Sequence, residues 1–112
     1  NVVTEERGSG SAVLIRGAHP VAGFDTPPPR ADGPGRLCRA FGIDKSLYGA
    51  RAYGREAPMW FEDRGFEAPR AAVRAGPRIG VAYAGACAER PWRFVIAAAQ
   101  LRLPPGRRRN SR

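Results

Sequence analysis

The 112-residue sequence has few of the residues that build metal sites or disulfide frameworks. It contains two cysteines, Cys38 and Cys87, and one histidine, His19. The cysteines lie far apart and form no C-x-x-C pair, whereas zinc sites use closely spaced Cys and His ligands. We therefore expect no metal site and no disulfide, and two reduced thiols as in the cytoplasm. His19 precedes a proline in a loop-like segment and reads as an exposed loop residue.

Long hydrophobic runs are also missing. The longest are residues 12–15 and 94–99, whereas a membrane-spanning helix needs about 20 apolar residues. The first residues show neither the charged region nor the apolar region of a secretory signal. These features predict a cytoplasmic protein with no membrane partner.

Large apolar residues are scarce enough to limit the core. Leu, Ile, Val and Phe together make up 21 of the 112 residues, close to the fraction of about 20% below which charged chains tend to be disordered. The 14 glycines and 11 prolines disfavour long helices. The length and composition predict one small domain of short strands and loops.

The charge is strongly basic, but part of it is compositional. The chain has 19 Lys and Arg against 10 Asp and Glu, a net charge of +9, and 18 of the cations are Arg. Because Ala, Arg, Gly and Pro supply 62 residues, GC-rich codons account for some of this excess. Residues 97–112 hold five Arg and no acid. This tail reads either as a solvated, disordered end or as a source of sequence-independent attraction to phosphates.

Short hydrophobic segments predict strands. The segment 12–15 is continuously apolar with β-branched residues, which predicts a central strand covered on both faces. The segment 69–75 reads as a brief helical or irregular link, and Gly80 indicates a bulge or close backbone approach within its strand. The other predicted strands are residues 1–4, 58–62, 78–82 and 92–96.

One short helix is predicted, with its cap and first turn within residues 32–37 and its end at Gly42. Pro34 lies in its first turn, apolar residues follow at three- and four-residue spacing, and Gly42 suits a left-handed cap. Free backbone N–H groups at the start of a helix, beside Arg36 and Arg39, suit phosphate. An ordinary surface helix with solvated arginines fits the same pattern.

Five segments follow one another along the chain: NVVT at 1–4, AVLIR at 12–16, GPGRLC at 33–38, PRIGV at 77–81 and PWRF at 91–94. In this order, and with GIDKS at 42–46, they resemble the C-terminal half of the alkyladenine (methylpurine) type of 3-methyladenine DNA glycosylase. The resemblance runs from residue 1 to residue 96 and leaves 97–112 as a basic, disordered tail. It implies an α/β (α+β) fold, a curved, mostly antiparallel sheet with peripheral helices, incomplete in this chain.

The resemblance implies base-excision repair. Such an enzyme flips an alkylated purine out of double-stranded DNA and hydrolyses its N-glycosidic bond with an activated water. Methylation at N3 or N7 makes the purine a cationic leaving group, so the protein mainly positions the water and the flipped nucleotide. No cofactor is implied, the partner is duplex DNA with a damaged purine, and we expect a monomer.

The resemblance also assigns roles to individual residues. Asn1 matches the pocket asparagine that disfavours the exocyclic amine of guanine. Arg16 matches the arginine that orients the nucleophilic water, and the backbone carbonyl of Ile79 matches a further partner of that water. Phosphate contacts fall on Gly35, Arg36 and Lys45.

Other parts of the family's site have no match in this chain. The general-base carboxylate, the aromatic residues that hold the flipped base and the tyrosine that fills the duplex precede the segment matching Asn1. Glu5 and Glu6 match nothing catalytic, so we expect the 112 residues alone to be an inactive fragment. After residue 94 the sequence departs from the family pattern, as a frameshift would produce. The alternative is a non-enzymatic, basic nucleic-acid-binding module.

Overall fold

A computed structural model describes residues 1–97. The chain divides into two compact units, Asn1–Glu62 and Asp63–Arg112, the second described as far as residue 97. The first contains strands β1 (Val2–Val3) and β2 (Ala12–Val13), helix α1 (Pro34–Phe41) and a 3₁₀ helix at Lys45–Leu47. The second contains β3 (Val73–Gly76), β4 (Arg93–Ile96) and 3₁₀ helices at Arg70–Ala72 and Ala82–Glu89.

Strands β1 and β2 form an antiparallel pair joined by a polar turn. Val2 pairs with Val13 and Val3 with Ala12. Within the turn, the backbone N–H of Ser9 donates to the Glu6 carbonyl at 3.1 Å, and its hydroxyl donates to the Glu5 carboxylate at 2.6 Å. The first predicted strand is therefore present, with the register set by a hydrogen-bonded turn.

The prediction that residues 12–15 form a central, doubly covered strand is wrong. Val13 is 50% exposed and Leu14 is 45% exposed. Within residues 1–97, β2 has one strand neighbour, β1, and no further layer lies over its apolar side chains. An apolar run is buried only where the fold supplies something to cover it.

Helix α1 confirms the predicted helix and its boundaries. Gly33 is the extended N-cap, Pro34 occupies the first turn, and Gly42 ends the helix with φ +66° and ψ +32°. The N–H of Gly42 returns to the carbonyl of Cys38, as in a left-handed cap. Leu37 is 6% exposed, and among the described residues only it and Ala31 belong to the buried apolar core.

The chain that follows β2 runs against the start of α1. The N–H of Ala18 donates to the carbonyl of Ala31 at 3.0 Å. A Cβ added at Gly17 would lie 3.3 Å from the same oxygen, so glycine permits this close approach. The contact fixes the segment after Arg16 beside the entrance to the helix.

The predicted strand at residues 58–62 is wrong. This segment is irregular, and its only backbone hydrogen bond to another segment runs from Phe61 N–H to the Ala52 carbonyl at 3.1 Å. Pro58 cannot donate to a ladder, and the Trp60 and Phe61 side chains are about half exposed. Without a neighbouring strand, apolar composition alone does not make a strand here.

The second unit is organised around the antiparallel pair β3–β4. Val73 pairs with Ile96, and Gly76 pairs with Arg93. The predicted strand at 92–96 is present as β4. The predicted strand at 78–82 is wrong, because the strand that pairs with β4 lies earlier, at residues 73–76. Pro77 has no N–H to donate, and Gly80 turns the chain with φ +76°. The predicted link at 69–75 therefore contains a 3₁₀ turn and then most of a strand.

The α+β class and the antiparallel pairing are confirmed. Among the described residues, the strands form two separate two-stranded sheets. No helix within residues 1–97 is long and apolar enough to cross a membrane. The tail predicted at residues 97–112 lies outside the described residues apart from Ala97.

Candidate functional site

The predicted site residues are divided between the two units. Ile79 belongs to the second unit. The first unit contains Asn1, Arg16, Gly35, Arg36 and Lys45.

The β1–β2 pair brings Asn1 and Arg16 to the same end of one hairpin. Because Val2 pairs with Val13, the register places Asn1 opposite Leu14, with Arg16 two residues further along. Asn1 is exposed and Arg16 is half-buried. Arg16 makes no hydrogen bond or ion pair with any residue of the described chain. Its guanidinium donors are available to a bound molecule.

An exposed charge cluster lies at the entrance to α1. The carboxylate of Asp32 accepts from the Arg30 guanidinium at 2.7 Å and from the Arg36 guanidinium at 3.1 Å. These hydrogen bonds, led by the one from Arg30, lower the pKa of Asp32 from 3.8 to about 2. Arg36, a predicted phosphate contact, is therefore paired in the free protein, and a phosphate must compete with Asp32 for it.

Gly35 and Lys45 complete the predicted phosphate contacts. Gly35 is in the first turn of α1, where backbone N–H groups have no partner within the helix. It is exposed, and no neighbouring atom would lie within 4 Å of a Cβ at this position, so a ligand can approach its backbone. Lys45 is exposed at the start of its 3₁₀ helix. That turn is capped by Asp44, whose pKa is lowered by the hydrogen bonds it accepts from Ser46.

Ile79 lies in the bend between β3 and the 3₁₀ helix Ala82–Glu89. Its side chain is 61% exposed, and Gly80 follows in a left-handed conformation. No described residue donates a hydrogen bond to the Ile79 carbonyl. The oxygen can therefore accept a hydrogen bond from a water molecule, which is the role that the resemblance assigns to it.

Two cationic features were missed by sequence reasoning. Arg30 joins Arg36 on Asp32, a contact that the spacing of these three residues in the sequence does not reveal because residues 30–32 precede the helix. In the second unit, Arg78 and Arg90 both lie over the ring of Trp92. The Arg-Pro-Trp-Arg string at 90–93 was the available signal for the second feature.

The cysteine, histidine and carboxylate side chains outside these features form no metal-binding cluster within residues 1–97. Cys38 and Cys87 are half-buried free thiols. Within residues 1–97 no three of the His, Cys, Asp and Glu side chains come together as metal ligands would. Glu5 is engaged by Ser9 in the β1–β2 turn.

Comparison with known proteins identifies the family. The family model described as methylpurine-DNA glycosylase (MPG) matches residues 1–100. The chain belongs to this family. No solved structure matches the MPG-family chain.

Curated relatives of this MPG-family chain carry the name "Putative 3-methyladenine DNA glycosylase". One from Myxococcus xanthus is 44% identical over 115 residues, covering 97% of this chain and 56% of the relative. One from Herpetosiphon aurantiacus is 39% identical over 108 residues, with 87% and 48% coverage. One from Anaeromyxobacter dehalogenans strain 2CP-C is 43% identical over 102 residues, with 86% and 44% coverage. The chain spans about half the length of the curated relatives it matches.

Proposed function

We propose that this chain supplies the C-terminal half of a base-excision enzyme that hydrolyses the N-glycosidic bond of alkylated purines in double-stranded DNA. The observation that carries the proposal is the MPG family match over residues 1–100. The names of the relatives point to 3-methyladenine as one base released.

The proposed reaction is a hydrolysis. The oxygen of a bound water attacks the sugar carbon C1′, the C1′–N bond breaks, and its electrons neutralise the positive charge of the methylated purine. The water gives its proton to a general-base carboxylate, which the family resemblance places ahead of Asn1. The C-terminal half, which this chain supplies, would position the attacking water.

The resemblance assigns to Arg16 the role of donor to that water and to the Ile79 carbonyl the role of acceptor. The half-buried guanidinium of Arg16, which has no partner in the described chain, donates to the water oxygen. The unpaired carbonyl of Ile79 accepts one of the hydrogens of the water. Orienting an attacking water is the positional contribution expected of such groups.

Asn1 would select the base. It extends from the same hairpin end as Arg16, and its amide is exposed. An amide donor directed at the edge of a purine repels the exocyclic amine of guanine, because two donors then face each other. Adenine-like lesions lack that group and are accepted.

Gly35, Arg36 and Lys45 would position the duplex. The first-turn N–H groups of α1 and two exposed cations suit phosphate oxygens, and such contacts set the register of a protein on DNA without reading sequence. We further propose that the enzyme acts as a monomer on chromosomal DNA in the cytoplasm.

The test uses a completed chain. The residues of the Myxococcus xanthus relative that precede the match are joined to Asn1, and single-turnover release of the base and duplex affinity are both measured. Arg16→Ala should lower the excision rate far more than affinity, because Arg16 acts in orienting the water and not in docking. Arg7→Ala removes an exposed arginine of the same unit and should leave the excision rate unchanged. Equal losses of rate and affinity in Arg16→Ala would make Arg16 a phosphate contact.

A second candidate function is DNA binding without excision. It is favoured by the exposure of Arg36 and Lys45, which serve binding whether or not a general base is present. Duplexes with and without an abasic-site analogue separate the two functions. Preference for the analogue supports the glycosylase, whereas equal, salt-sensitive affinity for both duplexes supports the binding module.

A further inference from the structure

A cluster of arginines surrounds one tryptophan in the second unit. The guanidinium carbon of Arg78 lies 5.0 Å from the centre of a Trp92 ring, and that of Arg90 lies 5.2 Å from it. Both distances are within the range of a cation–π interaction. Two like charges are therefore held on one indole that is itself 50% exposed.

The hydrogen bonds within the cluster fix two of its arginines. Nη2 of Arg78 donates to the Cys87 carbonyl at 3.2 Å, and Nε of Arg93 donates to the Pro77 carbonyl at 3.0 Å. Pro77 is thus tied to the strand that follows Trp92, and Arg78 is tied to the 3₁₀ helix that precedes it. The cations are oriented by backbone carbonyls and an aromatic ring, which leave their charge uncompensated.

No carboxylate neutralises this cluster within the described chain. Arg78, Arg90 and Arg93 form no ion pair with a described residue, and the adjacent Glu89 is exposed and unpaired. The Nε atom of Arg78 is buried and has no hydrogen-bond partner in the described chain. Buried donors in native proteins are normally satisfied. Because this Nε is closed to solvent, the observation that points to an anionic ligand is the uncompensated positive charge of the cluster.

We propose that Arg78 and Arg90, held on Trp92, bind phosphate groups of a nucleic-acid backbone. A guanidinium stacked on an indole is oriented by the ring without losing its in-plane N–H donors. The Arg90 guanidinium makes no hydrogen bond within the described chain, so its N–H edge is free for two oxygens of one phosphate, whereas Arg78 contributes charge and Nη1 while Nη2 stays on Cys87. The inference rests on the proposed function for its choice of duplex DNA as the partner. It adds a phosphate contact in the second unit, whereas the phosphate contacts predicted from the sequence all lie in the first unit, in or near α1.

Trp92 provides a direct readout. The chain contains two tryptophans, Trp60 and Trp92, so Trp60→Phe leaves Trp92 as the single indole fluorophore. The 112-residue Trp60→Phe chain is titrated with an undamaged duplex at several salt concentrations. Trp92 emission should change on binding, whereas inorganic phosphate at equal ionic strength should leave it unchanged, because the ligand is a phosphodiester polymer that engages two arginines together.

The variants separate a specific cluster from general surface charge. Arg90 is exposed and its side chain makes no hydrogen bond in the described chain, so Arg90→Gln removes charge with little effect on packing. It should weaken duplex binding several-fold and reduce the slope of log affinity against log salt by about 0.9. Arg70→Gln, an equal charge change at an exposed position of the same unit, should have a smaller effect on both. Arg90→Lys should retain most of the salt slope.

Two results overturn the proposal. In the first, Arg90→Gln and Arg70→Gln weaken duplex binding equally and the duplex leaves the Trp92 emission unchanged. In the second, the chain does not bind the undamaged duplex. If the proposed glycosylase function is wrong, the result is different: the completed chain releases no base, while Arg90→Gln still weakens duplex binding.

Discussion

Asp32→Asn should strengthen duplex binding by releasing two cations at the entrance to α1. In the free protein the carboxylate pairs with Arg30 at 2.7 Å and with Arg36 at 3.1 Å, so the three side chains carry a net charge of +1. The amide removes the negative charge and raises this to +2. If the released charge makes one additional phosphate contact, the slope of log affinity against log salt steepens by about 0.9.

The assay is fluorescence anisotropy with a labelled, undamaged duplex between low and physiological salt. Asp25→Asn is the matched control, because Asp25 is exposed in the same unit and pairs with no described residue. Both variants add one unit of net charge, but only Asp32→Asn releases paired arginines. Equal gains in the two variants would refute the reasoning, since the effect would then come from overall charge.

The same cluster gives a pH dependence with a defined sign. Because the pKa of Asp32 is lowered from 3.8 to about 2, its ion pairs are complete above about pH 4 and are lost as the pH falls toward 2. Carboxyl NMR titration should show this value. Arg30→Gln should raise the pKa of Asp32 more than Arg36→Gln does, because the Arg30 hydrogen bond is its largest cause. A wild-type Asp32 that titrates near 3.8 would contradict the geometry.

Two further predictions concern stability and the tail. Gly17→Ala should reduce the free energy of unfolding by about 1 kcal/mol, because the new Cβ would lie 3.3 Å from the carbonyl of buried Ala31; Gly10→Ala, with open space around it, should be neutral in the same denaturant titration. Deleting residues 97–112 should weaken binding of damaged and undamaged duplexes equally and flatten the salt dependence. A loss confined to damaged DNA would contradict a purely electrostatic tail.

Local signals in the sequence predicted the elements that depend on local chemistry. Helix α1 begins at Pro34 and ends before Gly42 as expected, because a proline in the first turn and a left-handed glycine cap act on adjacent backbone. The strand ending at Ile96 was found for the same reason, since alternating, β-branched residues favour extended backbone.

Features that depend on distant neighbours were not predictable in this way. The apolar runs at residues 12–15 and 58–62 resemble buried strands, but burial depends on a covering layer that composition does not encode. A strand was expected after Pro77, at residues 78–82, whereas the strand that pairs with β4 lies before Pro77, because strand pairing is decided between segments. The pairing of Arg30 with Asp32 likewise depends on how the chain enters α1.

The site residues are predictions from the family resemblance, and the structure describes the surroundings of each one. The hairpin register places Asn1 and Arg16 at one end of β1–β2, and Ile79 presents an unpaired carbonyl. Neither feature could be read from composition or spacing. The Trp92 cluster escaped prediction because a cation–π contact between Arg78 and Trp92 joins residues on either side of a 3₁₀ helix.

The most direct test compares the 112-residue chain with the same chain completed by the N-terminal residues of the Myxococcus xanthus relative. The readout is single-turnover release of base from a duplex carrying one hypoxanthine or ethenoadenine. The completed chain should release the base, and the 112 residues alone should not, because general-base assistance is typically worth about 10² to 10⁴ in rate and no carboxylate of this chain matches the base. A completed chain that folds and binds the duplex without releasing base, or release by the 112 residues above the no-enzyme control, would contradict the account.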